Sequence, residues 1–130
     1  MKNEKMILID DLEIYRLAMK VGEEVWTLTD SWDHWKKDTI GKQLVRAADS
    51  IAANISEGYG RYTYKDRRWF CYVSRGSMFE TRTWLVKAKD RNIIKEETVE
   101  SLFLDLKVLH LKLNAYIYAL NKNIDPHTTH

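Results

Sequence analysis

Between Val99 and Leu120, seven residues follow one another at spacings of three and four: Val99, Leu102, Leu106, Leu109, Leu113, Tyr116 and Leu120. All seven are apolar or aromatic, and that period places them on one face of an α-helix. A second series, Leu104, Val108, Leu111, Ala115 and Tyr118, repeats at four and three. Each of its members stands two residues, about 200° of helical rotation, from a member of the first. The two stripes therefore lie on opposite sides of one helix. One can face the core of a bundle, and the other requires a different partner. Leu104, Val108, Leu111 and Tyr118 are accordingly the expected interface of a homo-oligomer.

The rest of the chain reads as three more helices. Of 130 residues only five are glycine, and the single proline is Pro126, so little interrupts helical runs. The expected helices span about residues 11–32, 39–58, 63–90 and 96–121, in one domain covering 1–130. Asp10 or Asp11 is the expected cap of the first and Asp38 of the second, because a carboxylate can accept the unpaired first-turn amides. Thr63 with Asp66 resembles a capping box for the third. Gly58 and Gly60 are expected to end the second helix through positive-φ conformations. The seam of the first helix reads Leu12, Tyr15, Met19, Gly22, Trp26 and Thr29, widened by Val25, Leu28 and Trp32, and that of the second Ile40, Leu44, Ala47, Ile51 and Ile55, with Val45, Ala48 and Ala52 beside it. The third reads Phe70, Val73, Ser77, Glu80, Trp84 and Ala88. Connections this short cannot cross the length of a bundle, so consecutive helices should be antiparallel. The expected fold is all-α, an up-down-up-down four-helix bundle, with residues 122–130 a flexible tail.

Several function classes lose their chemistry at this level. A di-iron bundle needs two Glu-x-x-His pairs, and the residues three before His34 and His110 are Ser31 and Lys107. His127 and His130 are expected to belong to a frayed tail rather than to a metal site. Cys71, the only cysteine, excludes an internal disulfide framework, and no histidine stands near it in sequence to act as a base. Gly58-x-Gly60 lacks the rest of a dinucleotide fingerprint. No apolar run approaches a membrane span, and the first residues lack a signal-peptide core. The expectation is a cytoplasmic, non-enzymatic protein without metal or cofactor and without a membrane partner.

The formal net charge of +2 hides an uneven distribution. Residues 1–35 carry 4 basic and 8 acidic groups, residues 36–91 carry 13 and 6, and residues 92–130 carry 4 and 5. The excess of cations is central, and there Arg61, Lys65, Arg67, Arg68 and Arg75 interleave with Tyr59, Tyr62, Tyr64, Trp69 and Tyr72. Cations among aromatic rings suit phosphate neutralisation and base stacking. RNA or DNA is therefore a candidate partner. Without a helix-turn-helix or comparable reading head, binding should be weakly sequence-specific. The alternative is a protein–protein scaffold or accessory subunit without nucleic-acid affinity. Arg46, Asn54, Glu57, Ser77 and Glu80 fall on or beside apolar stripes. Buried polar groups are costly unless paired, so these five are expected to satisfy one another in a structural network. A ligand pocket is the competing reading.

The segment from Gln43 to Arg61 resembles the 23S rRNA-intervening-sequence proteins. Their R-A-x-S-I-x-x-N-I-x-E-G pattern stands here at Arg46, Ala47, Ser50, Ile51, Asn54, Ile55, Glu57 and Gly58. Phe70 and Gly76-Ser77-Met78-Phe79-Glu80 are similar to the family's following Phe and G-S-x-x-E element. The resemblance covers residues 11–121 and implies a small antiparallel bundle assembling as a homo-oligomer, typically a pentameric ring. Some members are encoded within insertions in large-subunit rRNA genes, which implies RNA as a partner. A more distant resemblance, to accessory proteins of diversity-generating retroelements, implies nucleic acid and a protein partner. Ser56 stands where the family commonly has Ala, and the chain is richer in Trp.

Overall fold

The computed structural model describes residues 9–124. After one 3₁₀ turn, Ile9–Asp11, the chain forms four helices. Helix α1 is Glu13–Asp30. Helix α2 opens with one turn, His34–Lys36, passes through a wide turn, Lys37–Gly41, and continues as Lys42–Tyr59. Helix α3 is Tyr64–Asp90 and α4 is Glu96–Asn121. No strand occurs among the described residues. Each helix packs on its predecessor and α4 closes back on α1, giving the up-down-up-down bundle that short connections demand.

The core runs along the axis of this bundle. Ile14, Val21 and Val25 from α1 meet Leu44, Ile51 and Ile55 from α2, Met78 and Leu85 from α3, and the inner stripe of α4. On α4 that stripe is Val99, Leu102, Leu106, Leu109, Leu113, Ile117 and Leu120. Tyr116 is half-buried beside Ile117.

Helices α1 and α3 are turned relative to the sequence expectation. The buried positions of α1 are Ile14, Ala18, Val21, Gly22, Val25 and Thr29, while Met19 and Trp26 are exposed. On α3 they are Cys71, Ser74, Met78, Thr81, Leu85 and Ala88, mostly one residue, or about 100°, from the expected seam. The cause is chemical. Ser74 Oγ donates to the Ile51 carbonyl oxygen at 2.8 Å, and Thr81 Oγ1 donates to Ser77 O at 2.8 Å. Hydroxyls satisfied in this way need no water, so small polar residues take core positions. Trp69, Tyr72 and Phe79 are left on the outside, and Trp84 is half-buried against the core.

The helix ends also differ in detail. Asp33, not Asp38, caps α2, accepting the Lys36 amide at 3.0 Å. That bond holds the Asp33 carboxyl below its ordinary pKa. Leu12 occupies the N-cap of α1 without a side-chain bond, so neither Asp10 nor Asp11 caps it. Thr63 accepts the Asp66 amide at 3.1 Å and caps α3. Gly58 and Gly60 do not adopt positive φ. Gly58 serves close approach instead: a Cβ there would lie 2.8 Å from Phe70 Cβ and 3.1 Å from Arg67 O. The left-handed position falls on Asn92, φ 60°. There the Ile93 amide reaches Ala88 O at 2.8 Å and the Asn92 amide reaches Lys89 O at 2.9 Å. This pair of bonds is a Schellman motif, which turns α3 into α4 within five residues. Of the expected flexible tail, residues 125–130, with His127 and His130, lie outside the described residues.

Candidate nucleic-acid interface

The central cations gather on the N-terminal half of α3 and the corner before it, in two groups. At the corner, Arg61 pairs with Glu57, Nη2 to Oε2 at 2.7 Å, and lies over the Phe70 ring at 4.7 Å. Arg67 Nε donates to Arg61 O at 2.9 Å, and its guanidinium sits 5.3 Å from the Tyr64 ring. On the side of α3 that faces α4, Arg68 Nη1 donates to Asn121 Oδ1 at 2.7 Å, and Arg75 Nη1 to Asn114 Oδ1 at 2.8 Å. Both flank Tyr72, at 6.0 and 5.0 Å from its ring. Lys65 is half-buried on the first turn of α3.

Among the described residues, Arg61 is the one of these arginines held by a carboxylate. Arg67, Arg68 and Arg75 are held by neutral amide and carbonyl oxygens, so their charge is oriented but not cancelled. Each guanidinium carries five donors and keeps others beyond the one used here. Around them Tyr62 is 96% and Trp69 62% exposed, with Tyr64 and Tyr72 also open to solvent. Oriented cations beside open rings can take phosphates and stack bases at one surface.

The five residues expected to share a polar network do not converge. Arg46 is exposed. Asn54 Nδ2 donates to Ser50 O at 2.8 Å, Ser77 Oγ to Val73 O at 3.3 Å, and Trp84 Nε1 to Glu80 Oε2 at 3.3 Å. Glu57 has Arg61. Each of these four bonds stays within four residues of chain, because the true seam of α3 runs beside Ser77 and Glu80 rather than through them. A polar link between α2 and α3 is the Ser74–Ile51 bond, which apolar periodicity could not reveal. Other missed residues are Arg82, over the Phe103 ring at 4.7 Å, and Phe79, edge-on to His110 at 5.4 Å. Their signal was present: Arg68, Arg75 and Arg82 recur every seven residues, as do Asn114 and Asn121.

Two other features bear on chemistry. Cys71 is buried, and burial pushes its thiol up to about 11 although Arg75 pulls the other way. A neutral, enclosed thiol is no nucleophile. Among the described residues no cluster of His, Cys, Asp or Glu could hold a metal ion, and no helix is long and apolar enough to cross a membrane. Between α1 and α4, Glu24 Oε1 is buried with no hydrogen-bond partner. Burial first, then the neighbouring Asp105 carboxyl, raises the Glu24 pKa above the usual carboxylate range.

The outward stripe of α4 is uncovered. Leu104 and Leu111 are each 61% exposed and Tyr118 65%, with Val108 also open.

Residues 10–115 match the 23S rRNA-intervening sequence protein family. Among solved structures, the chain is similar to a protein of unknown function from the S23 ribosomal protein family of Bacteroides thetaiotaomicron. The two share 22% identity and a TM-score of 0.75 over 80% of this chain and 97% of the other. No curated protein matches the chain.

Proposed function

This chain belongs to the 23S rRNA-intervening sequence protein family, and from that premise we propose that it is a non-enzymatic, cytoplasmic homo-oligomer that binds nucleic acid. The observation that carries the reading is the set of arginines at Arg67, Arg68 and Arg75, oriented by neutral partners among exposed rings. With Arg61 and Lys65 they form the binding surface. Contacts of this kind engage phosphates and ring faces rather than base-pair edges, so sequence preference is weak. Copies associate through Leu104, Val108, Leu111 and Tyr118, and a ring of five, which the family resemblance implies, multiplies the basic surface around its circumference. The family's name supports RNA as the ligand.

One set of measurements tests both halves. Binding of RNA and DNA is followed across a salt series, and the molar mass in solution by light scattering. Affinity should fall steeply with salt, since each phosphate contact releases counterions. Arg67→Glu with Arg68→Glu should weaken all sequences alike by at least about tenfold, and the mass should be several times that of one chain. Undetectable or salt-insensitive binding by an oligomer rejects the nucleic-acid reading and leaves the scaffold. A monomer rejects the assembly.

A further inference from the structure

Helices α3 and α4 pass each other in step. Arg68 meets Asn121 and Arg75 meets Asn114, while Phe79 meets His110. Seven residues forward on α3 match seven back on α4, and the next step brings Arg82 to the level of Lys107, leaning over Phe103. The row along this side of α3 is Arg68, Tyr72, Arg75, Phe79 and Arg82, a cation and a ring in alternation at spacings of four and three. It rises about 21 Å, with successive arginine positions about 10.5 Å apart along the helix axis. Its far end opens into a groove of about 330 Å³ between the two helices. Phe79 and Phe103 supply aromatic wall, Arg82 and Lys107 supply charge, and no carboxylate lines it.

We propose that this seam is a track for a single strand of nucleic acid, with phosphates on Arg68, Arg75 and Arg82 and bases on Tyr72 and in the Phe79 groove. The inference rests on the nucleic-acid reading above and names the strand class that the site takes. Three features select a single strand over a duplex. Ring faces have value only for a base released from its own stack, and in a duplex the bases are already stacked and paired. The cations form one file along one groove, which follows one backbone rather than two. The groove is a concave, aromatic, cationic recess, complementary in charge and shape to a base with its flanking phosphates. A strand advances at least about 3.4 Å per nucleotide, the stacked limit, so 21 Å corresponds to at most about six nucleotides. That is within the usual range of about 4–16 for a single-strand site. The neutral asparagines hold Arg68 and Arg75 in place before the ligand arrives, which limits the ordering cost of binding.

Fluorescence anisotropy with the full chain decides it, using a labelled twelve-nucleotide RNA of mixed sequence, the same sequence as a duplex, and a six-nucleotide fragment. The expected result is tighter binding of the single strand than of the duplex by about tenfold or more, with the six-nucleotide fragment retaining most of that affinity. Phe79→Ala and Arg82→Gln, both at exposed side chains, should each lower single-strand affinity about tenfold and leave helicity by circular dichroism unchanged. Equal or tighter duplex binding overturns the proposal. So does single-strand binding that is unchanged in both variants but lost in the Arg67→Glu, Arg68→Glu chain, an outcome that leaves the nucleic-acid reading standing. Absence of binding by either form at low salt removes both.

Discussion

Helices α3 and α4 are antiparallel neighbours of nearly equal length, 27 and 26 residues, yet they distribute bulk in opposite ways. Helix α4 is apolar on its inner face and apolar again on its outer face. Helix α3 is lined inside by small or hydroxyl-bearing groups such as Cys71, Ser74 and Thr81, and carries its rings and cations outside. The difference teaches that apolarity and burial are separate properties of a helix face. On α4 they coincide on one side and part on the other, where Leu104 and Leu111 are mostly exposed. On α3 they part outside and, in places, inside, where hydrogen bonds seat Ser74 and Thr81 among Met78, Leu85 and Ala88.

The largest effect sharpens this contrast within α4. Leu109→Ala, at a fully buried position, should cost about 2–5 kcal/mol in urea unfolding, the range for a leucine cavity. Leu111→Glu, two residues away, should leave far-UV helicity intact and dissociate the assembly, as read by light scattering. Unfolding by Leu111→Glu would place that face in the chain's own core and dissolve the distinction.

A smaller effect tests α3. Ser74→Ala removes the donor to Ile51 O and should cost about 1 kcal/mol. Ser77→Ala, three residues on, loses only a bond within its own helix and should be near neutral. Equal losses in thermal melts would return the seam to Ser77.

The smallest effect lies where α4 faces α1. Because burial raises the Glu24 pKa, the folded chain keeps that proton to higher pH than the unfolded chain does. The associated stability is therefore full in acid and declines as pH rises through the raised folded value. Glu24→Gln cannot ionise and should remove that decline. Solvent screens this half-exposed group, so the variant should gain only about 0.5 kcal/mol at pH 7 and lose the advantage near pH 4. A variant less stable than the parent at pH 7 would mean that Lys20 compensates the buried charge.

Much of the fold was legible because α4 carries two clean periods, and because Thr63 and a shortage of breakers mark the ends of long helices. The inner stripe of α4 survived almost residue for residue, with Ile117 replacing Tyr116. What escaped were positions decided by hydrogen bonding or by space. Ser74 and Thr81 are polar by composition yet fully buried. Gly58 is glycine because Phe70 is packed against it, not because the chain turns there. At the candidate site, the cations of α3 could be named from the sequence, but not the neutral acceptors that hold them. Asn114 and Asn121 are 39 and 53 residues away along the chain, and only the register of α3 against α4 brings them near.

The wide turn at Lys37–Gly41 gives α2 a reserve of length. Such turns arise when one extra residue is accommodated inside a helix without breaking it. Here the surplus lies between the capped first turn and the body of α2, and its last two residues, Ile40 and Gly41, already belong to the buried interior. Its exposed part, Lys37 to Thr39, is thus an expansion joint, the place in this helix where a change of length would disturb the packing from Ile40 onward least.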